Sequence, residues 1–279
     1  MSTDPPPHPE FFLDADTQAP AVRELAGGRA AVWSSRGDGP EIPNEDAAML
    51  LPLDAERAVI ALADGFGGQP QGEKASRLTL ETLAKVIRSA CAEGSELRDA
   101  ILNGFEQANA AVRQLANGAA STLAVVEIQG RVARPYHVGD TEILAVGQRG
   151  RVKLRTVSHS PTGYAVESGL MDEKEALHHE ERHIVSNMIG LEEMRIEVGA
   201  ALELAERDTV LLASDGLWDN LHSDEIVARL RRFPLERAVA DLAQASRARM
   251  ENPRDGKPSK PDDLTLVAYR PRGGKARGA

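Results

Sequence analysis

The stretch from Ser121 to Thr156 constrains the fold most. Four strand-like runs, Ser121 to Ile128, Val132 to Val138, Glu142 to Val146 and Val152 to Thr156, are separated only by turns at Gly130, Gly139 and Gly150. Connections this short pair strands antiparallel, because a parallel crossover needs a dozen or more residues. Further strand-like runs lie at Ala30 to Ser34, Ala47 to Leu51, Arg57 to Ala63, Thr209 to Ala213 and Leu264 to Tyr269. Apolar residues recur at helical spacing in two pairs of segments, Gly72 to Ala90 with Leu97 to Leu115, and Asp224 to Leu230 with Leu235 to Arg249. Grouped strands and grouped helices predict an α+β fold, with mainly antiparallel sheets flanked by helical layers.

The organisation expected is a loosely ordered segment over 1–20, one domain over 21–270 and a disordered basic tail over 271–279. Residues 158–191 read as a helical, loop-rich insertion. The formal net charge of −10 argues against a general nucleic-acid or anionic-membrane partner, which would call for basic patches. It suits a protein that gathers cations, although many soluble enzymes are equally acidic. The first ten residues lack the basic start and apolar block of a signal peptide, and no apolar run has transmembrane length, so a cytoplasmic location is expected. Cys91 is the only cysteine, which excludes an intrachain disulfide, and no histidine stands near it in sequence to activate a thiol.

The chemistry is carried by acids at strand ends. Two apolar runs close on the same pair, Ala61-Leu62-Ala63-Asp64-Gly65 and Leu212-Ala213-Ser214-Asp215-Gly216. Taken singly, an Asp-Gly pair is a common turn. Further acids share the setting. Asn44-Glu45-Asp46 opens a strand, Gly139-Asp140 sits in a hairpin turn, and Asp262-Asp263 precedes the last strand. Asp219 follows Asp215 by four residues, so one helical turn would bring both carboxylates to one face. Oxygen ligands without Cys or His favour Mg²⁺ or Mn²⁺ over Zn²⁺. Two such ions about 4 Å apart can activate a water for in-line attack on phosphorus.

From Ser34 to Val267 the chain resembles the metal-dependent protein phosphatases, the type 2C serine/threonine family, in its bacterial form. The motifs run in family order: Asn44-Glu45-Asp46, Asp64-Gly65-Phe66-Gly67-Gly68 leading to Gly72-Glu73-Lys74-Ala75-Ser76, Gly118-Ala119-Ala120-Ser121-Thr122-Leu123, Val138-Gly139-Asp140-Thr141, His159-Ser160, Ser214-Asp215-Gly216-Leu217-Trp218-Asp219 and Asp262-Asp263-Leu264-Thr265. The resemblance implies a four-layer α-β-β-α sandwich and hydrolysis of phosphoserine or phosphothreonine by direct attack of water activated by two Mg²⁺ or Mn²⁺ ions. It implies that Asp64 bridges the ions, that the Gly65 carbonyl binds one, and that Asp215 and Asp262 complete the ligands of the second ion. Glu45 and Asp46 would act from nearby, and Asp140 with Asp219 would hold a third, looser ion. The implied partner is a phosphorylated protein, the counterpart of a serine/threonine kinase, and a monomer is expected.

Three positions depart from the family pattern. Glu41 stands where many members place the arginine that grips phosphate, and Arg36 in the same loop is the expected substitute. Phe66 replaces the histidine that animal members carry, and Asp263 replaces an asparagine. These departures keep open an alternative, a weak or inactive phosphatase-fold module that binds phosphorylated partners. Two patterns are set aside. His179-Glu180-Glu181-Arg182-His183 spells a zinc-peptidase motif, but its inner positions are charged, which suits a solvated face. Gly67 and Gly72 mimic a phosphate-cradling loop, but Glu73 precedes Lys74 and no hydroxyl follows. His159 reads as a structural loop residue, Trp218 as packing beside the metal strand, and Arg229, Arg231 and Arg232 as a solvated helix end.

Overall fold

The computed structural model describes residues 8–37, 42–66, 71–115, 118–232 and 234–272. Glu41 and Gly67 lie outside them. In chain order the first strands are β1 (Glu10–Leu13), β2 (Ala21–Leu25), β3 (Gly28–Ser35), β4 (Asp46–Pro52) and β5 (Arg57–Phe66), followed by helices α1 (Gln71–Ala92) and α2 (Leu97–Arg113). Then come β6 (Ala120–Ser121), β7 (Leu123–Gln129), β8 (Val132–Val138), β9 (Glu142–Val146) and β10 (Val152–Arg155). The insertion holds α3 (Pro161–Glu167), α4 (Glu173–Ala176) and a 3₁₀ turn at Glu180–His183. The chain continues with β11 (Glu197–Val198), β12 (Leu202–Glu203), β13 (Thr209–Ala213), α5 (Asp215–Trp218), α6 (Ser223–Leu230), α7 (Leu235–Glu251) and β14 (Leu264–Pro271).

The strands form two antiparallel sheets. One runs β1-β4-β5-β7-β8-β11, with β12 also on β8 and β6 on β5; the other runs β10-β9-β13-β14-β3-β2. Side-chain alternation explains the layers. Along β4, Ala47, Met49 and Leu51 face α1 and α2, while Ala48 and Leu50 face the second sheet. Along β5, Val59, Ala61 and Ala63 take the helix side, and Ala58, Ile60 and Leu62 the inter-sheet side. A period of two thus feeds two cores from one strand. A third core, with Trp33, Leu211, Leu217, Val239 and Leu242, lies between the second sheet and α5 to α7. The result is the expected α-β-β-α sandwich.

Several local expectations need correction. Strand β1 lies inside the segment read as loosely ordered and pairs with β4, Phe11 opposite Met49. Its signal is the same alternation: Phe11 and Leu13 pack on the helix-side core and Phe12 on the inter-sheet core. At the other end, Pro271, the first residue of the expected tail, belongs to β14. The buried Arg270 guanidinium donates to Thr209 Oγ1 at 2.9 Å and to the Leu230 carbonyl at 3.0 Å. Asp64-Gly65 is not a turn either. The strand runs on through Phe66 because β6 pairs with it, Gly65 opposite Ser121.

Candidate metal centre

Asp46 and Asp64 are register partners across β4 and β5, so their side chains share one sheet face. The backbone around Asp64 is clamped. Its N–H donates to Thr122 Oγ1 at 2.9 Å, and its carbonyl accepts from the Thr122 N–H at 2.8 Å and from Ser121 Oγ at 3.0 Å. Beside it the chain passes closer to α1 than a side chain allows. A Cβ on Gly65 would lie 2.0 Å from the Gly72 carbonyl oxygen, and one on Gly72 would lie 2.6 Å from the Glu45 carboxyl. Glycine at both positions brings the Gly65 carbonyl, Glu45 and the start of α1 together.

Asp140 enters from the turn between β8 and β9, which joins the two sheets. Gly139 adopts φ +108°, and a Cβ there would lie 2.6 Å from Thr122 Cβ. His159 holds this turn from outside: the Gly139 N–H donates to His159 Nδ1, and the His159 N–H donates to the Gly139 carbonyl, each at 3.0 Å. From the second sheet, Asp215 opens α5, and the Asp219 N–H donates to the Asp215 carbonyl at 2.8 Å, the single turn expected from their spacing. Ser214 ties the two sheets by donating to Asp46 Oδ2 at 2.7 Å. A Cβ on Gly216 would lie 1.9 Å from the Asp263 carbonyl oxygen, an approach that sets Asp215 beside Asp262.

The electrostatics follow from this crowding. Burial and the neighbouring acids push the carboxyls of Asp46 and Asp64 well above the usual range. For the same reasons Asp140 is pushed up to about 8, Asp262 to about 7 and Asp219 to about 6. Glu45 is also raised, by burial and by Asp263, and its Oε1 is buried without a hydrogen-bond partner among the described residues. Buried acids of one sign, all oxygen donors, fit hard divalent cations. The set suits Mg²⁺ or Mn²⁺ and offers no thiolate or imidazole for a softer metal.

Two features were not anticipated from the sequence. Lys260 reaches into the cluster, hydrogen-bonded to Asp215 Oδ2, with its Nζ 3.0 Å from Asp262 Oδ2 and 3.3 Å from Asp219 Oδ2. A lysine two residues before Asp262 was the available signal. Asp263 brackets two loops, accepting from the Gly37 N–H and the Glu45 N–H, each at 2.7 Å. An asparagine has one side-chain acceptor oxygen where two N–H groups converge, which accounts for the carboxylate here.

Arg36 lies on the first of these loops. Its guanidinium donates to Asp14 Oδ1 at 2.8 Å, and the same oxygen accepts from the Asn44 N–H at 2.9 Å. Phe66 is 59% exposed. Trp218 is buried, donates to the Ala213 carbonyl at 2.9 Å, and carries the Arg155 guanidinium 5.1 Å above its ring. A cavity of about 190 Å³ opens beside Asp140, Asp215 and Asp219, walled by the insertion through Ser160, Thr162 and Arg182.

His179 precedes and His183 ends a 3₁₀ turn with no buried residue, and His179 Nδ1 caps it by accepting from the Glu181 N–H at 3.2 Å. That is the solvated segment expected of a chance motif. A different group, His137, His159 and Glu197, places its ligand atoms within 4.8 Å of one another. Three of its four ring nitrogens are already engaged. His137 Nε2 donates to the Val157 carbonyl at 2.9 Å, and His159 Nδ1 accepts from Gly139 and from Asn187, which leaves Nε2–H facing Glu197 at 3.2 Å. The stacked imidazoles thus buttress the Asp140 turn.

Comparison with known proteins gives the family. Residues 39–252 match the family model described as protein phosphatase 2C. A protein phosphatase 2C-type protein of Streptococcus pyogenes is 30% identical over 179 residues, 62% of this chain and 72% of that one. The crystal structure of the Ser-Thr phosphatase MsPP from Mycobacterium smegmatis, in complex with cacodylate, has a TM-score of 0.70 and 26% identity and covers 88% of this chain and 98% of its own. The catalytic domain of the phosphatase PstP, in complex with two manganese ions, has a TM-score of 0.65 and 24% identity over 88% of this chain and 99% of its own. The chain belongs to the protein phosphatase 2C family, and as a member it is a phosphoprotein phosphatase. No helix among the described residues is long and apolar enough to cross a membrane.

Proposed function

We propose that the protein hydrolyses phosphoserine and phosphothreonine in other proteins at a centre of two Mg²⁺ or Mn²⁺ ions, with a third, looser ion at Asp140 and Asp219. The observation that carries this reading is the convergence of Asp46, Asp64, Asp140, Asp215, Asp219 and Asp262 from both sheets, with Asp64 coupled electrostatically to Asp46, Asp215, Asp140 and Asp262. Ions held there supply Lewis-acid chemistry, activating a water and neutralising charge on the phosphate. Asp64 and the Gly65 carbonyl hold one side of the centre, and Asp215 with Asp262 the other. Glu45 and Asp46 act from the next shell, and Ser214 fixes the orientation of Asp46. In this reading the attacking group is water itself, so the reaction runs without a phosphoenzyme.

Arg36 is the proposed phosphate contact, since Asp263 holds its loop beside Asp262. Arg36→Ala is expected to raise KM; unchanged KM and kcat would remove it from the site. The same reading takes a serine/threonine kinase as counterpart, a monomer as the working form and the cytoplasm as its place. Direct attack is tested by hydrolysing a phosphothreonine peptide in ¹⁸O-labelled water with an acid quench. Incorporation of one label into phosphate, with no trapped phosphoprotein, is expected. A phosphoprotein intermediate would overturn the mechanism.

A further inference from the structure

Lys260 is held in place from both sides. Its N–H donates to Asn220 Oδ1 and its carbonyl accepts from Asn220 Nδ2, each at 2.8 Å, and Asn220 is fully buried. Pro261 follows, which restricts the Lys260 backbone to an extended conformation. On the other flank Ser259 Oγ donates to the Arg249 carbonyl at 2.9 Å. The backbone is therefore fixed, and only the side chain is left to move. That side chain is 24% exposed, and its ammonium engages one oxygen from each of Asp215, Asp219 and Asp262. Among the described residues Arg182 also pairs with one of these carboxylates, 3.9 Å from Asp219.

We propose that Lys260 is a tethered counter-cation for the Asp215–Asp262 end of the cluster, and that a divalent ion binds there only by displacing its ammonium. This rests on the metal-centre reading above and adds to it a competitor built into the chain. The ammonium uses the Oδ2 atoms of Asp215 and Asp262, the two carboxylates assigned to one ion. A divalent cation on the same oxygens would stand within a few ångströms of a positive charge, and like charges that close repel strongly in a half-buried site. Neutralising acids without metal is the complementary effect, so the lysine stabilises the metal-free fold while weakening metal binding. Lys260 lies beyond the 39–252 stretch that matches the family model, so the matched stretch does not include it.

The test is a calorimetric Mn²⁺ titration of the metal-free protein as wild type, Lys260→Met and Lys260→Arg, with Asp215→Ala as reference. Melting temperatures in chelator are recorded alongside. Lys260→Met keeps the stem and removes the charge, and it is expected to tighten by ~10-fold or more the Mn²⁺ binding that Asp215→Ala removes. It should also melt below wild type in chelator but not with Mn²⁺ bound, while Lys260→Arg stays near wild type. Unchanged or weaker Mn²⁺ affinity in Lys260→Met overturns the inference. If Asp215→Ala abolishes binding in that case, the metal centre survives without the competitor. If the folded wild type binds no Mn²⁺, both fall together.

Discussion

The carboxamide of Asn220 pairs with both the N–H and the carbonyl of Lys260, at 2.8 Å each, and so aims a lysine that reaches the acid cluster. Its amide also donates to the Gly216 carbonyl at 3.0 Å, linking the turn that carries Asp215 to the loop that carries Asp262. Two of the acids assigned to one ion are thus held by a single buried side chain.

Asn220→Ala would leave these backbone groups without partners. A buried unsatisfied polar group costs about 1–3 kcal/mol, and with several groups affected a loss of roughly 2–4 kcal/mol is expected in urea denaturation. A loss below about 0.5 kcal/mol would show that water replaces the carboxamide freely.

The acid cluster makes stability depend on pH in the metal-free protein. A carboxyl whose folded-state pKa lies above its unfolded value contributes stability while protonated and loses it as pH rises through the folded value. Asp219, Asp262 and Asp140 are placed at about 6, 7 and 8, with Asp46 and Asp64 raised as well. The melting temperature in chelator is therefore expected to fall between about pH 5 and pH 8.5, where the usual carboxylate would already be fully ionised. Saturating Mn²⁺ should remove most of that fall. A melting temperature that rises over this range in chelator would contradict the electrostatic account.

Gly216→Ala places a Cβ 1.9 Å from the Asp263 carbonyl oxygen, a backbone atom that has to shift to admit it. A displacement near 1 Å between catalytic groups costs on the order of 100-fold in rate. Turnover of p-nitrophenyl phosphate is expected to drop by about that factor while the protein stays folded by circular dichroism. Near-normal turnover would mean that the approach of Asp215 to Asp262 is not set here.

Asp263→Asn restores the family's usual residue but removes one of two acceptors. Either the Gly37 or the Glu45 N–H then loses its partner, and a loss of about 1–3 kcal/mol in stability is expected. A more stable variant would show that the two loops do not need the carboxylate.

The sequence carried the frame of this site because the acids stand at the ends of strongly apolar strands, and alternation along β4 and β5 fixes which face they share. The four-residue step from Asp215 to Asp219 predicted one helical turn, and one turn is present. Less legible were features that depend on distant backbone. Asp64-Gly65 read as a turn, since nothing local to β5 reveals that Ala120 and Ser121 pair with its end. Lys260 is one of seven lysines until the fold sets Asn220 against its backbone. Asp263 read as a simple departure from Asn, because the two N–H groups it accepts lie 226 and 218 residues away along the chain. Strand β1 was missed although Phe11-Phe12-Leu13 alternates between two cores, because the proline-rich residues before it suggested disorder.

The central claim is tested most directly by phosphate release from a phosphothreonine peptide and from p-nitrophenyl phosphate, with Mn²⁺ or with chelator, in wild type and Asp215→Ala. The account predicts Mn²⁺-dependent release in the wild type, abolished by chelator and lost in Asp215→Ala. Undiminished release in chelator, or full activity in Asp215→Ala, would contradict it.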